Sequence, residues 1–201
     1  MRWWLASHRP VLALIIGATA VIASVVLGDV RLLMPTASGN TPFGSVPLFA
    51  ILPVAVPITF GALMDAAERP PYAVSARRVY AGDVALIIVG VMLFFAVGIV
   101  LALVWPTQTE LLPALRNVAG FVGLQLLVAP WPHYRYQALV PTLYVFVAAT
   151  FGRAGEGRLS EWAWPLESRV SALSLGLGVA LLLVGTVLAL FRGGRRGMRR
   201  W

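Results

Sequence analysis

Six apolar stretches, at 10–28, 43–64, 84–105, 112–130, 137–151 and 170–191, take up most of the 201 residues. Each comes close to the roughly 20 apolar residues that an α-helix needs to cross hydrocarbon. Only 12% of the residues are charged, about half the share of a soluble domain. No water-facing surface can be built from that, and the mean hydropathy of +0.84 agrees. The expected fold is all-α: a polytopic membrane protein with six transmembrane helices in a single domain over 1–201. The fifth stretch is the weakest, since fifteen residues reach only ~22 Å at 1.5 Å per residue. Either Tyr136 and Gly152 extend it, or the chain turns back before crossing. The first stretch is not expected to be a cleaved signal peptide, because it lacks a cleavage site and five further stretches follow it.

Arginine placement sets the expected orientation. With the N-terminus in the cytoplasm, the inner side holds eleven arginines and three acids, and the outer side five of each. The whole net charge of +8 then falls on the inner side. Both termini are therefore expected to be cytoplasmic in a cell membrane. The basic balance is a topology and lipid-headgroup signal, and no nucleic-acid partner is expected. The basic tail Arg192–Trp201 reads as a stop-transfer anchor. Trp3, Trp4, Trp105, Trp131, Trp162, Trp164 and Trp201 all fall at the ends of apolar stretches, as an interfacial aromatic belt requires.

Composition also excludes chemistries. The chain has no cysteine, so disulfides and thiolate sites are ruled out. All 16 basic residues are arginine; without lysine there is no phosphate-binding GxxxxGK[ST] loop and no Schiff base. Any ATP hydrolysis that drives this protein must occur on another chain. His8 and His133 lack partners in sequence and read as interfacial, so no metal or cofactor is expected. No set of base, nucleophile and orienting group is evident, and an enzyme is not expected. Asp29, Asp83, Glu110 and Arg116 fall at the edges of apolar stretches, where snorkelling would carry them to water. Gln125 is the main deep polar side chain.

Three segments stand out. The second stretch holds Pro47, Pro53 and Pro57, which orphan the carbonyls of Phe43, Phe49 and Pro53; in hydrocarbon these need a partner from a neighbouring helix, a hydroxyl or water. Pro53 and Pro57, with Gln125, are the candidate pathway residues. The inner connection 65–83 carries Glu68, Arg69, Tyr72, Val74, Arg77 and Arg78. Pro70-Pro71 ends the second stretch there, and AVSARRVY can then form about two turns of helix. The outer connection 152–169 begins glycine-rich, then places Leu159, Trp162, Ala163 and Leu166 on one helical face, with Pro165 keeping the piece short. It reads as an interfacial anchor or an outer gate, with Trp162 and Trp164 as its gating candidates. Small residues at Ala13…Gly17, Ala20…Ser24 and Ala172…Gly176…Ala180 are spaced for close helix packing.

Six spans, cytoplasmic termini, a cytoplasmic helix after the second span and an amphipathic outer segment before the sixth together resemble the small permease subunits of the type-2 ATP-binding-cassette exporter class. The residues concerned are Glu68-Arg69 with Arg77-Arg78 inside and Glu161-Trp-Ala-Trp-Pro-Leu166 outside. The resemblance implies that Glu68, Arg69, Tyr72, Val74, Arg77 and Arg78 couple to a separate ATP-binding subunit. It also implies that the outer segment closes the path, that a second membrane subunit, identical or different, completes the permease, and that the substrate is an amphiphile such as a peptide antibiotic, a lipid or a drug-like molecule. Two alternatives stay open: a substrate-binding membrane subunit of an energy-coupling-factor vitamin importer, using the loops 29–42 and 152–169, and a non-transporting membrane assembly or immunity factor.

Overall fold

Proline placement breaks the second apolar stretch into pieces, and the rest of the fold arranges itself around that break. The computed structural model describes residues 10–37, 43–67, 76–105, 110–128, 134–153 and 158–196. Helix α1 covers Pro10–Val26, its proline at the first position where no N–H is needed. Strands β1 (Arg31–Pro35) and β2 (Phe43–Pro47) follow as an antiparallel pair in which Arg31 faces Pro47 and Leu33 faces Ser45. The short helix α2 (Leu48–Ile51) leads into a 3-10 turn at Leu52–Val54 and then α3 (Ala55–Ala67). Next come α4 (Ala76–Val104), α5 (Leu111–Leu127), the single turn α6 (Tyr134–Gln137) and α7 (Leu139–Phe151). A 3-10 segment at Glu161–Leu166 precedes the last helix, α8 (Ala172–Arg196).

The fold is mostly helical, as expected, but it is not all-α. Residues 43–47, assigned above to the second helix, are strand. Pro47 sits at φ −73° and ψ 146°, an extended conformation, and the Leu48 N–H bonds to the Val30 carbonyl at 3.0 Å instead of to its own helix. Among the described residues, two helices are long and apolar enough to cross a membrane, Gly82–Val104 and Ala172–Phe191. The apolar helices Leu14–Val26, Leu48–Ala62, Leu111–Leu127 and Leu139–Phe151 are shorter. Helix α7 ends at Phe151, with Gly152 as its C-cap. The Ser160 N–H then bonds to the Gly152 carbonyl at 2.8 Å, and Arg153 bridges Leu159. Helix thus includes Tyr136, at the N-terminal side of the fifth stretch, and the chain folds back just after Gly152.

The inner connection is described only from Ala76 onward. There Ala76–Tyr80, part of the expected short helix, are helical and run without a break into the rest of α4, 29 described residues in all, roughly 43 Å. Nothing after Pro71 in this stretch interrupts a helix: 76–104 contains no proline. Arg77 and Arg78 therefore stand in the first turn of a long helix. Glu68, Arg69, Tyr72 and Val74 lie outside the described residues, as do His8, His133 and the end of the basic tail.

Helix α5 is the axis of the bundle. From Leu111 to Leu126 every residue except Leu112 and Leu124 is buried, so it is wrapped on nearly all sides. Its main neighbour is α8, and α1, α3, α4 and α7 also pack on it. Close packing and polar contacts hold these helices together. Here glycine supplies the closeness: a Cβ on Gly123 would meet the backbone of Leu181 and Leu182, and one on Gly185 would come 2.5 Å from the Gly123 carbonyl. The buried stripe of α8 is Ser174, Gly178, Leu182, Gly185 and Ala189, at helical spacing. The small-residue row expected to pack, Ala172…Gly176…Ala180, points outward instead, and a Cβ on Gly176 would meet nothing within 4 Å. The expected Gly17, Ala20 and Ser24 on α1 are buried, with Gly17 against the ring of Phe94. Phe94 in turn lies 6.5 Å from Phe60, inside the main apolar core.

Gly185→Leu should force α5 and α8 apart and lower the stability of the detergent-solubilised protein by about 1–3 kcal/mol or more. Gly176→Leu, on the open face, should leave the thermal unfolding midpoint unchanged. Equal midpoints for the two variants would contradict the packing described.

Candidate functional site

Among the described residues, a buried polar cluster lies at the end of the bundle that carries the β-hairpin. Arg116, one and a half turns into α5, is 1% exposed, and its neighbour Asn117 is 0% exposed. The guanidinium donates from Nε to Asn117 Oδ1 at 3.2 Å, from Nη1 to Ser174 Oγ at 3.1 Å and from Nη2 to the Glu167 carbonyl at 2.8 Å. The Glu167 carboxylate is 3.9 Å away, and the guanidinium carbon lies 5.8 Å from the Trp164 ring centre. Asn117 spends its Nδ2 donors on the carbonyls of Pro165, at 2.9 Å, and Phe49, at 3.3 Å.

This corrects the reading of Arg116 as a snorkelling edge residue. Burying a lone guanidinium costs several kcal/mol unless its donors are matched, and here each of its three nitrogens has an acceptor. Ser171 and Ser174 cap the start of α8 reciprocally, each accepting the other's backbone N–H at 3.1 Å. A cation beside a helix N-terminus opposes the helix dipole, so the nearby Glu167 carboxylate has an electrostatic task as well. The Phe49 carbonyl is one of those orphaned by proline, and its partner comes from a neighbouring helix, one of the three sources anticipated.

Asn117 and Arg116 together pin the 3-10 segment Glu161–Leu166 against α5. Ser160 enters it extended, Ala163 leaves helical geometry at φ −84° and ψ 30°, and Pro165 ends it. Ala163, Trp164, Pro165 and Leu166 are buried, whereas Leu159 and Trp162 are exposed. The expected face of Leu159, Trp162, Ala163 and Leu166 is therefore only half right, because a 3-10 turn repeats every three residues and rotates Trp164 inward. The Trp164 ring packs 5.6 Å from Phe121 and 6.0 Å from Tyr144, over Gly120, where a Cβ would collide with it. The Tyr144 hydroxyl donates to the Trp162 carbonyl. Gly152 is required for the fold-back: a Cβ there would run into the Ala148 carbonyl and the Ala163 side chain.

Beside this node, under the hairpin, is a partly open cavity of about 270 Å³. Asp29 lines it from the turn before β1, Arg31 from β1, Ser45 from β2, Glu110 from the N-cap of α5 and Arg153 from beyond α7, with Phe49 and Leu166 as an apolar wall. Arg153 Nη2 donates to the Ser45 carbonyl at 2.5 Å, and Arg31 Nη1 stands 3.5 Å from the Ser45 hydroxyl.

The residues singled out from sequence do not form one constellation. Trp164 belongs to the node, and Trp162 touches it through its carbonyl. Pro53 and Pro57 are buried in the broken helix, Pro53 inside the 3-10 turn and Pro57 in the first turn of α3. Gln125 is 0% exposed, two turns further along α5, and neither of its amide atoms meets a hydrogen-bond partner among the described residues. Arg77 and Arg78 start α4. Sequence reasoning misses the Arg116–Asn117 pair, although an Arg-Asn dipeptide inside an apolar stretch was the available signal. Comparison with known protein families, curated proteins and solved structures finds no match to this chain.

Asn117→Leu leaves the carbonyls of Phe49 and Pro165 without a donor and Arg116 Nε without its acceptor, and at about 1–3 kcal/mol per orphaned group should cost at least about 3 kcal/mol. Glu167→Gln, at a side chain 35% exposed, should cost under about 1 kcal/mol. Thermal unfolding in detergent reads the difference. Limited proteolysis should cut 153–169 faster in Asn117→Leu only.

Proposed function

We propose that the chain is a membrane-spanning permease subunit of a type-2 ATP-binding-cassette exporter, with six membrane-embedded segments, both termini in the cytoplasm and ATP hydrolysed by a separate subunit. The observation that carries this reading is the fold-back segment Glu161–Leu166. It lies against the central helix at one end of the bundle and is held by a few specific hydrogen bonds from Arg116 and Asn117 together with the buried Ala163, Trp164 and Leu166. An element held in that way has a discrete way to release, as a gate over an amphiphile's exit requires. Helix α4 adds support. It is one continuous rod with Arg77 and Arg78 in its first turn, so a push there is delivered along its length towards the end where the fold-back segment sits. The broken second helix, with Pro53 and Pro57 buried, supplies a hinge between α2 and α3.

In this reading the hairpin, the cavity and the fold-back segment face outward, and the beginning of α4 faces the cytoplasm. A second membrane subunit, identical or different, completes the permease within the lipid bilayer. One observation favours the vitamin-importer alternative: the polar cavity draws its lining from both 29–42 and 152–169. In that case the ATPase contact would run through a scaffold subunit and the Arg77–Arg78 pair would be dispensable.

Two measurements test this. The chain has no native cysteine, so Ser38→Cys and Ser160→Cys should react with an impermeant thiol reagent added outside intact cells, and Ser75→Cys should not; outside labelling at position 75 overturns the topology. Contacts between partly buried charges at an interface are worth roughly 2–5 kcal/mol when truncated. The double change Arg77→Glu with Arg78→Glu should therefore abolish co-purification of the ATPase and its substrate-stimulated hydrolysis, while the bundle still inserts. Full retention of both would refute coupling through α4, and a wild-type chain that purifies with no ATPase would favour the assembly-factor reading.

A further inference from the structure

The cavity under the hairpin has a charge pattern that no folding role explains. Arg31 and Arg153 come from segments more than a hundred residues apart, yet both converge on Ser45, one on its hydroxyl and one on its carbonyl. Two guanidinium groups drawn to one serine repel each other, and the carboxylates of Asp29 and Glu110 line the same cavity. Arg153 is half-buried. Its Nε is sealed without a partner and Nη2 is partly used by Ser45, so its remaining Nη donors have no protein acceptor among the described residues. Asp29 lines the same cavity, is exposed and makes no ion pair there. Opposite charges thus line one space.

Size narrows the occupant. At about 270 Å³ the cavity falls just under the roughly 300–1,000 Å³ of sites for drug-sized ligands, and it would hold several waters at ~30 Å³ each. A headgroup or an amino acid fits, and a peptide antibiotic does not. The apolar wall of Phe49 and Leu166 continues from the polar lining, so the occupant can carry a short apolar portion.

We infer that this cavity is a binding site for a small zwitterion bearing an amine and a phosphate or carboxylate, the anionic group on Arg31 and Arg153 and the amine towards Asp29. Planar guanidinium forks match the oxygens of phosphate and carboxylate, and two of them favour an anionic end over a neutral one. Asp29 then distinguishes an aminated ligand from a bare anion. Such a molecule has two sources, the headgroup of an aminophospholipid in the outer leaflet or a free solute. The assignment stands apart from the permease reading, because it concerns occupancy and requires neither transport nor an ATPase.

The test uses the full chain purified in lipid-free detergent, with the thermal unfolding midpoint as the readout of binding. The probes are O-phosphoethanolamine, inorganic phosphate and ethanolamine, alongside nanodiscs of phosphatidylethanolamine or of phosphatidylglycerol. O-phosphoethanolamine should stabilise the protein saturably, with an apparent affinity about tenfold above that of phosphate, as one added charge-assisted contact provides. Arg31→Gln should weaken it by about tenfold. Asp29→Asn should bring O-phosphoethanolamine down to the level of phosphate and leave phosphate itself unchanged. Both substituted residues are exposed, so the variants are expected to fold, and unligated midpoints equal to wild type verify this. Stabilisation by the free compound identifies a soluble ligand; stabilisation only by phosphatidylethanolamine nanodiscs, and not by phosphatidylglycerol, identifies a lipid headgroup. Either result supports the site. No stabilisation by either source, equal binding of phosphate and O-phosphoethanolamine, or undiminished binding in Arg31→Gln overturns it.

Discussion

A fully buried guanidinium sets the terms for one whole end of this protein. Arg116 occupies the central helix, where water cannot reach it, and a charge in that position persists only if other parts of the chain bring acceptors to it. The acceptors arrive from the turn before α8, from the α8 cap and from Asn117. Asn117, oriented by the same contact, reaches the broken second helix and the 3-10 segment. Four separate stretches of chain are thereby held in register by two adjacent side chains, and the fold-back at Glu161–Leu166 is a consequence of that demand as much as of its own sequence.

The polar node would not close if α5 and α8 stood at an ordinary interhelical distance. Gly178 lies under Arg116, where a Cβ would come 3.1 Å from the Arg116 carbonyl, and it shares the buried stripe with Ser174, which accepts from the guanidinium. Missing side chains at Gly120, Gly123, Gly178 and Gly185 let backbones and the Trp164 ring settle against one another. Packing and polar satisfaction are therefore one device, since close approach makes the hydrogen bonds reachable and the bonds hold the close approach. Gln125, two turns along the same helix, is the counter-example: it is equally buried and has no partner among the described residues.

The proposed function draws on this end of the bundle. Among the described residues, charged and hydrogen-bonding groups cluster around the hairpin, the cavity and the fold-back segment, and α4 runs unbroken from Arg77 and Arg78. A permease needs an element that can release and a rigid member that can pull on it, and the proposed reading assigns those parts to the 3-10 segment and to α4.

Much of the architecture was legible in the residues alone. Hydropathy, the absence of lysine and cysteine, and the prolines at 47, 53 and 57 determine an apolar helical chain with a broken second segment, because these are local properties of the backbone and of solvation. What local pattern could not decide is which groups meet: the partners of Arg116 and Asn117 lie 48 to 68 residues away, apart from the Arg116–Asn117 contact itself. The hairpin, the inward turn of Trp164 and the outward-facing row Ala172…Gly176…Ala180 were decided in the same way. Each depends on which neighbour occupies the adjoining space, and only the tertiary structure determines that.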